Sequence, residues 1–306
     1  MDDRDARKHG FDDAAELFKL VANADISAPS ALAAFEQWKA NDGSKEGLVI
    51  PTKFLVMYSG GICSWAAAKR IALKHGVGNV YLLFADTIIE DDDLYRFLVE
   101  SALNVYGFPR LIADSVLSRI AVLTPIEDVS DGALERRKQE LAVIRAETMA
   151  IIPRLAWIAD GRTPWEVFCD ERFIGNSKVD PCSKILKRQL MDRWRNENHE
   201  PKSTALVFGL DWTERGRITR HRSRVAPWHS IYPLDEQPYL TKEDIRRDLE
   251  SQGIRQPRLY DLGFPHNNCG GFCVKAGVAQ FWHLSRVLPD RYRYHENQET
   301  TQWTAK

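Results

Sequence analysis

Apolar residues recur at helical spacing through residues 11–40 (Phe11, Ala14, Leu17, Phe18, Val21, then Leu32, Phe35 and Trp38). That spacing predicts two helices divided near Ser27-Ala-Pro29 and closed by the polar stretch Asn41-Asp-Gly-Ser44. The pattern then changes. Lys53–Ser59 (KFLVMYS) is a short apolar run that predicts a buried strand, residues 64–75 return to helical spacing, and Gly76 stops the helix. Val80–Phe84 predicts a second buried strand, Asp91–Tyr106 a helix, Arg110–Val116 a third strand, and Ala133–Ala159 one long helix. An irregular segment leads to a basic amphipathic helix at about Ser183–Asn196 and a further strand at Ala205–Gly209. A helix at Thr241–Ser251, a Cys/Gly-rich loop at His266–Cys273 and one or two closing helices complete the chain. Strands alternating with helices in this way imply right-handed βαβ units, a parallel sheet and an α/β fold. The expected organisation is a helical extension over 1–50, a nucleotide-binding core over 51–235, and a helical region with the Cys-rich loop over 236–306, packed on the core.

Composition narrows the partners without naming one. The 306 residues carry 44% hydrophobic and 28% charged side chains, as an ordinary globular protein does. A formal net charge of −1 gives no whole-chain attraction to nucleic acid or anionic membrane, so such a partner needs a local patch. No apolar run approaches the roughly 18 residues of a membrane span, and the start MDDRDARKHG is polar, so a cytoplasmic location without a membrane partner is expected. Five cysteines, an odd number, suit reduced thiols or metal ligands better than a disulfide framework.

Chemistry concentrates at the end of the first core strand. Ser59-Gly-Gly-Ile-Cys-Ser64 joins a strand to a helix, where glycines allow close backbone approach and a helix N-terminus offers N–H groups to an anion. Neither the G-x-G-x-x-G nor the G-x-x-x-x-G-K-[ST] pattern is present. The pattern S-G-G-x-x-S resembles the pyrophosphate loop of PP-loop ATP pyrophosphatases, the adenine nucleotide α-hydrolases. Four further segments match the phosphoadenosine phosphosulfate reductase-like branch in order: Asp86-Thr87 closing the second strand, Cys182 before a basic helix, Val207–Arg215 as a strand-then-arginine loop, and Cys269-Gly-Gly-Phe-Cys273. The resemblance covers about residues 53–275. It implies a five-stranded parallel sheet of the HUP type and bound ATP with Mg²⁺. It also implies scission between the α- and β-phosphates, with adenylation of a substrate in sulfur transfer or nucleic-acid modification.

Carried over residue by residue, the resemblance assigns nucleotide binding to Ser59, Gly60, Gly61, Ile62, Cys63, Ser64, Asp86, Thr87, Lys184, Lys187 and Gly209. Catalysis falls to Ser59, Ser64, Arg215 and Arg217. Cys182, Cys269 and Cys273, with His266 as a fourth ligand, are the candidate set for a [4Fe–4S] cluster or zinc, or else are structural thiols. Glu90–Asp93 are either Mg²⁺ ligands or a dipole-compensating first helical turn, and Lys184, Lys187 and Arg188 either face an anion or form a solvated surface. Cys63 stands where the family has aspartate; a thiol at a helix N-terminus should ionise easily, or else it is a tolerated small residue. Five arginines between Arg215 and Arg224 suggest phosphate or nucleic-acid contacts. Implied partners are an adenine nucleotide, a nucleic-acid or protein acceptor at that run, and a second copy of the chain in a homodimer. Two other readings stay open. A sulfonucleotide reductase would need a resolving cysteine after Cys273, and the sequence has none there. A non-catalytic accessory protein of a phage, DNA-modification or type IV CRISPR system would bind nucleotide or nucleic acid without turnover.

Overall fold

The computed structural model describes residues 51–304, so both helices predicted within 11–40 lie outside the described residues. Five parallel strands form one sheet in the order β3-β2-β1-β4-β5. They are β1 (Lys53–Met57), β2 (Val80–Asp86), β3 (Leu155–Ala159), β4 (Thr204–Val207) and β5 (His229–Ile231). Phe54 in β1 sits opposite Val80 on one side and Ala205 on the other. The strand order reverses at β1, since β2 and β4 flank it. A crevice therefore opens between the carboxyl ends of β1 and β4, which is where open α/β sheets bind ligands.

The helices follow from the same apolar spacing. α1 (Ile62–His75) buries Trp65, Ala66, Ala67, Ala68 and Ile71 and ends at Gly76, whose N–H donates to Ala72 O. α2 (Asp92–Tyr106) is capped by the Asp91 carboxylate, which accepts from Asp93 N. Both pack on the face of the sheet formed by Phe54, Val56, Leu82, Phe84 and Val207, which carries the larger core. Leu55, Leu83 and Leu206 point to the opposite face, where Trp228, Met191 and Trp194 cover them.

Two sequence expectations fail. Arg110–Val116 is not a strand: Arg110–Ala113 is a 3₁₀ turn, and Asp114 opens α3 (Asp114–Ala121), which buries Val116, Leu117 and Ile120. That spacing is helical, and RLIADSV is too short an apolar run to tell a helix from a strand. The third strand instead lies inside the predicted helix 133–159. α4 (Ala133–Ile151) stops before Pro153, whose ring cannot continue a helix, and LAWIA becomes β3 beside β2. The predicted basic helix begins as a π-helix, Ser183–Gln189, and continues as α6 (Leu190–Asn198); α5 (Pro164–Asp170) precedes it. α7 (Arg215–Val225), α8 (Lys242–Ser251), α9 (Arg258–Asp261), α10 (Val278–Val287) and α11 (Pro289–Thr304) complete the described chain. No helix among the described residues is long and apolar enough to cross a membrane.

Candidate functional site

The loop Ser59–Ser64 lies at the crevice between β1 and β4. Gly60 has φ +70°, and a Cβ there would lie 3.0 Å from the Leu94 side chain, so the turn needs glycine. Ser64 is buried and donates to Gly61 O at 2.7 Å, and Ser59 Oγ donates to Ser64 Oγ at 3.3 Å. Ser64 therefore shapes the loop, while Ser59 is exposed at its rim. Gly209, just past β4, is pressed onto the same loop. A Cβ on it would fall 2.8 Å from Cys63 C, Cys63 O and Ser64 N, so only glycine lets the two strand ends meet.

Sequence reasoning did not find the two side chains that hold this loop from the C-terminal region. Asn267 donates from Nδ2 to Gly60 O at 2.9 Å, and its Oδ1 is buried without a partner. The Tyr260 hydroxyl lies against the Gly61–Ile62 backbone, where a Cβ on Gly61 would be 3.1 Å away. Each meets the loop across about two hundred residues of sequence, a pairing that spacing cannot reveal; only their place among Gly, Pro and Asn near the Cys-rich segment hinted at them.

Cys63 corrects an expectation. Its thiol is not activated: burial pushes it up to about 11, and Asp211 and Glu214 add to the shift, outweighing Lys242. The carboxylates Asp211 and Glu214 come from the turn after Gly209, so negative charge lies beside the loop.

The acidic run after β2 is fully engaged, as a capped and charge-compensated helix start. Asp91, completely buried, holds Arg258 at 2.8 Å and Arg291 at 2.6 Å. Burial alone would raise its carboxyl, but the two arginines outweigh that and hold it below the usual carboxylate range. Asp92 pairs with the buried Arg137 at 2.7 Å, and Asp93 with Arg96 at 2.6 Å and Arg255 at 2.7 Å. None of the three carboxylates is left for a Mg²⁺ ion. Asp86 is likewise engaged within the protein: its oxygens accept from Ile88 N, Tyr95 Oη and Trp157 Nε1 beneath the sheet edge. Thr87 remains at the edge, donating from Oγ1 to Glu90 at 2.9 Å.

A cavity of about 1280 Å³ opens beside this crevice on the second face of the sheet. One end is lined by Thr87, Cys182, Lys187, Cys269 and Cys273, the other by Arg217, Arg220, Arg224 and Trp228. Lys187, on the π-helix, reaches Glu90 Oε1 at 3.1 Å. Burial would lower its ammonium, but Glu90 and the two cysteines outweigh that and keep it charged. π-Turns recur at functional sites, and this one turns Lys187 inward while Lys184 stays exposed, so the predicted pair is split.

The thiols converge only in part. Glu90 also accepts from Cys269 N, whose residue takes the left-handed backbone φ of 52°. Hydrogen bonding from Cys269, helped by the Lys275 N–H and Lys187, brings Cys273 down to about 6, while Cys269 itself is raised. Cys182 is raised by burial to about 11, with Cys273 close enough to add to the shift. His266 belongs elsewhere: the charges acting on it are Lys242, Arg217 and Glu214, beside Cys63. Among the described residues no group of three or more His, Cys, Asp or Glu side chains is arranged to hold a metal ion. The proposed three-thiol-plus-histidine set therefore does not fit zinc or a cluster.

The arginine loop divides as a helix must. Arg215 turns away, to Asp235 at 2.8 Å and Tyr239 Oη at 2.7 Å, and is not part of the cavity wall. Arg217 does line the cavity, with Glu214 at 2.7 Å as its neighbour. Compared with known proteins, the chain matches no family model, and no curated protein matches it.

Proposed function

We propose that the chain is a PP-loop ATP α-hydrolase that cleaves ATP to AMP and pyrophosphate and transfers the adenylyl group to an acceptor. One observation carries most of this reading: a glycine-built strand–helix loop sits at the point where the sheet order reverses, and the Gly209 backbone is pressed onto it. An acceptor oxygen attacks the α-phosphorus. A new P–O bond forms as the bond from that phosphorus to the α–β bridging oxygen breaks, and pyrophosphate leaves with the bridging oxygen. Ser59 and the first turn of α1 face the departing pyrophosphate, Gly60, Gly61 and Gly209 make the close approach, and Ser64 keeps the loop in shape. Thr87 and Lys187 lie where the rest of the nucleotide enters the cavity, and Arg217 offsets charge that grows in the transition state. Mg²⁺ enters on the ATP phosphates, and the carboxylates of 91–93 take no part. With water as acceptor the products are AMP and pyrophosphate.

The test uses ATP labelled at the α-phosphate, with Mg²⁺. AMP plus pyrophosphate supports the reading; ADP plus phosphate ends it. A second reading, a nucleotide-binding protein without turnover, is favoured by one observation. The Tyr260 hydroxyl already sits against the Gly61–Ile62 backbone, and Cys63 supplies no carboxylate. ATP binding without either product would select it.

A further inference from the structure

The cavity is larger than a nucleotide requires. Its volume of about 1280 Å³ exceeds the roughly 300–1,000 Å³ typical of a single small-ligand pocket. Its charge is also unlike that of the chain. Seven Lys or Arg side chains line it against two aspartates, although the formal net charge of the whole protein is −1.

These cations form a line. Arg217, Arg220 and Arg224 are three and four residues apart, so they share one face of α7 and extend about 10 Å along it at 1.5 Å per residue. Arg220 and Arg224 are exposed and have no carboxylate partner among the described residues. Arg217, itself exposed, pairs only with the half-buried Glu214 three residues before it, a kind of pair that contributes about 0–1 kcal/mol. Across the cavity Arg188 and Lys275 share one carboxylate, Asp180, at 3.5 and 3.6 Å. The protein thus leaves two of the three guanidinium groups of the row without a carboxylate on one wall, and two cations sharing a single carboxylate on the other. A compact anion would be met by converging charges; a row suits a polymer of phosphates. Between the arginines His221 also lines the wall, its ring edge-on to Phe208 at 4.3 Å, giving flat groups beside the cations.

We propose that this arm of the cavity is a track for one strand of nucleic acid, entering past Arg224 and Arg220 and leading toward Thr87. Taken with the α-hydrolase reading, on which this step rests, the strand is the acceptor class. Basic residues line both walls of the recess, and the proposal seats a single strand between them in preference to a duplex.

The experiment is fluorescence anisotropy with a labelled single-stranded 20-mer, as RNA and as DNA, and no ATP present. If three phosphates are neutralised, log affinity falls with log salt at a slope of about −2, or about a 20-fold loss between 50 and 200 mM salt. Arg220→Ala with Arg224→Ala removes two contacts, so binding weakens and the same salt step costs only about threefold. The paired Lys substitutions keep the charge and should retain binding, which separates loss of contact from loss of fold. No binding at 50 mM salt, unchanged affinity in the Ala variant, tighter binding of a duplex, or equal binding of a polyglutamate peptide would each overturn the track. AMP release from ATP alone, measured on the unaltered chain, judges the nucleotide reading separately. Strand binding without AMP release keeps the track and removes its acceptor role; AMP release without strand binding removes the track alone.

Discussion

Substituting Gly209 by alanine tests the geometry of the loop most directly. The added Cβ would sit 2.8 Å from three atoms, Cys63 C, Cys63 O and Ser64 N, and all three belong to backbone. No flexible side chain can swing away, so either β4 or the start of α1 must move. Overpacking of this kind costs about 1–3 kcal/mol. For a chain of this size each kcal/mol lowers Tm by about 2–4 °C, so a fall of roughly 2–12 °C is expected by thermal denaturation. The displaced backbone belongs to the first turn of α1, which the α-hydrolase reading sets against the departing pyrophosphate. The rise in Tm on adding Mg²⁺-ATP, which follows the logarithm of ligand concentration over Kd, should therefore shrink in the variant. Gly216→Ala is the control. It lies on exposed α7, with nothing within 4 Å of its Cβ position, and should stabilise by about 0.4–1 kcal/mol. If Gly209→Ala keeps both the Tm and the ATP-induced rise of the parent, the close approach of the two strand ends is not what shapes the site.

Other consequences can be measured alone. Asp91→Asn leaves Arg258 and the buried Arg291 without their shared carboxylate, and chemical denaturation should show a loss of about 3–5 kcal/mol, whereas a loss under 1 kcal/mol would contradict the buried triad. Alkylation of Cys273 by iodoacetamide, located by mass spectrometry, should have its pH midpoint near 6, and Cys269→Ala should move that midpoint up by removing the hydrogen bond; coincident profiles would refute the pairing. Burial lowers His75 and His199 to about 4 from an ordinary 6.5, so the folded state binds fewer protons than the unfolded state between those values. Their stabilising contribution is complete above pH 6.5 and is lost as pH falls toward 4; an unfolding free energy that is flat or rises from pH 6.5 to 4.5 would count against it. Anaerobic purification followed by iron, sulfide and zinc analysis should find none of them in stoichiometric amount, and one equivalent of any would overturn the reading of the thiols.

Much of the frame was legible because short-range signals agreed. β1, β2 and β4 are apolar runs beside glycine or acidic punctuation, and α1 and α2 carry helical spacing between Gly60–Gly61, Gly76, Asp91 and Gly107. β3 was hidden because LAWIA continues the composition of α4, and only Pro153 marks the break. β5, three residues long, carries too little pattern to register. At the site, the loop glycines could be read from sequence, but the partners of each charge could not. Asp86 looked like a ligand, and its neighbours Tyr95 and Trp157 made it an internal acceptor. Arg215 and Arg217 looked equivalent in sequence, yet two positions on a helix point to nearly opposite sides, and only Arg217 faces the cavity.

The hold of Asn267 on Gly60 and the grip of Arg258 and Arg291 on Asp91 place the latch of the loop late in the chain. A ribosome finishes β1, α1 and β2 long before it reaches residue 258. Until then the loop exists without its fastening, and the buried carboxylate has no counter-charge. The loop should therefore gain its final shape only when residues 258–291 dock on the sheet, so that any binding it supports reports the arrival of a distant part of the fold.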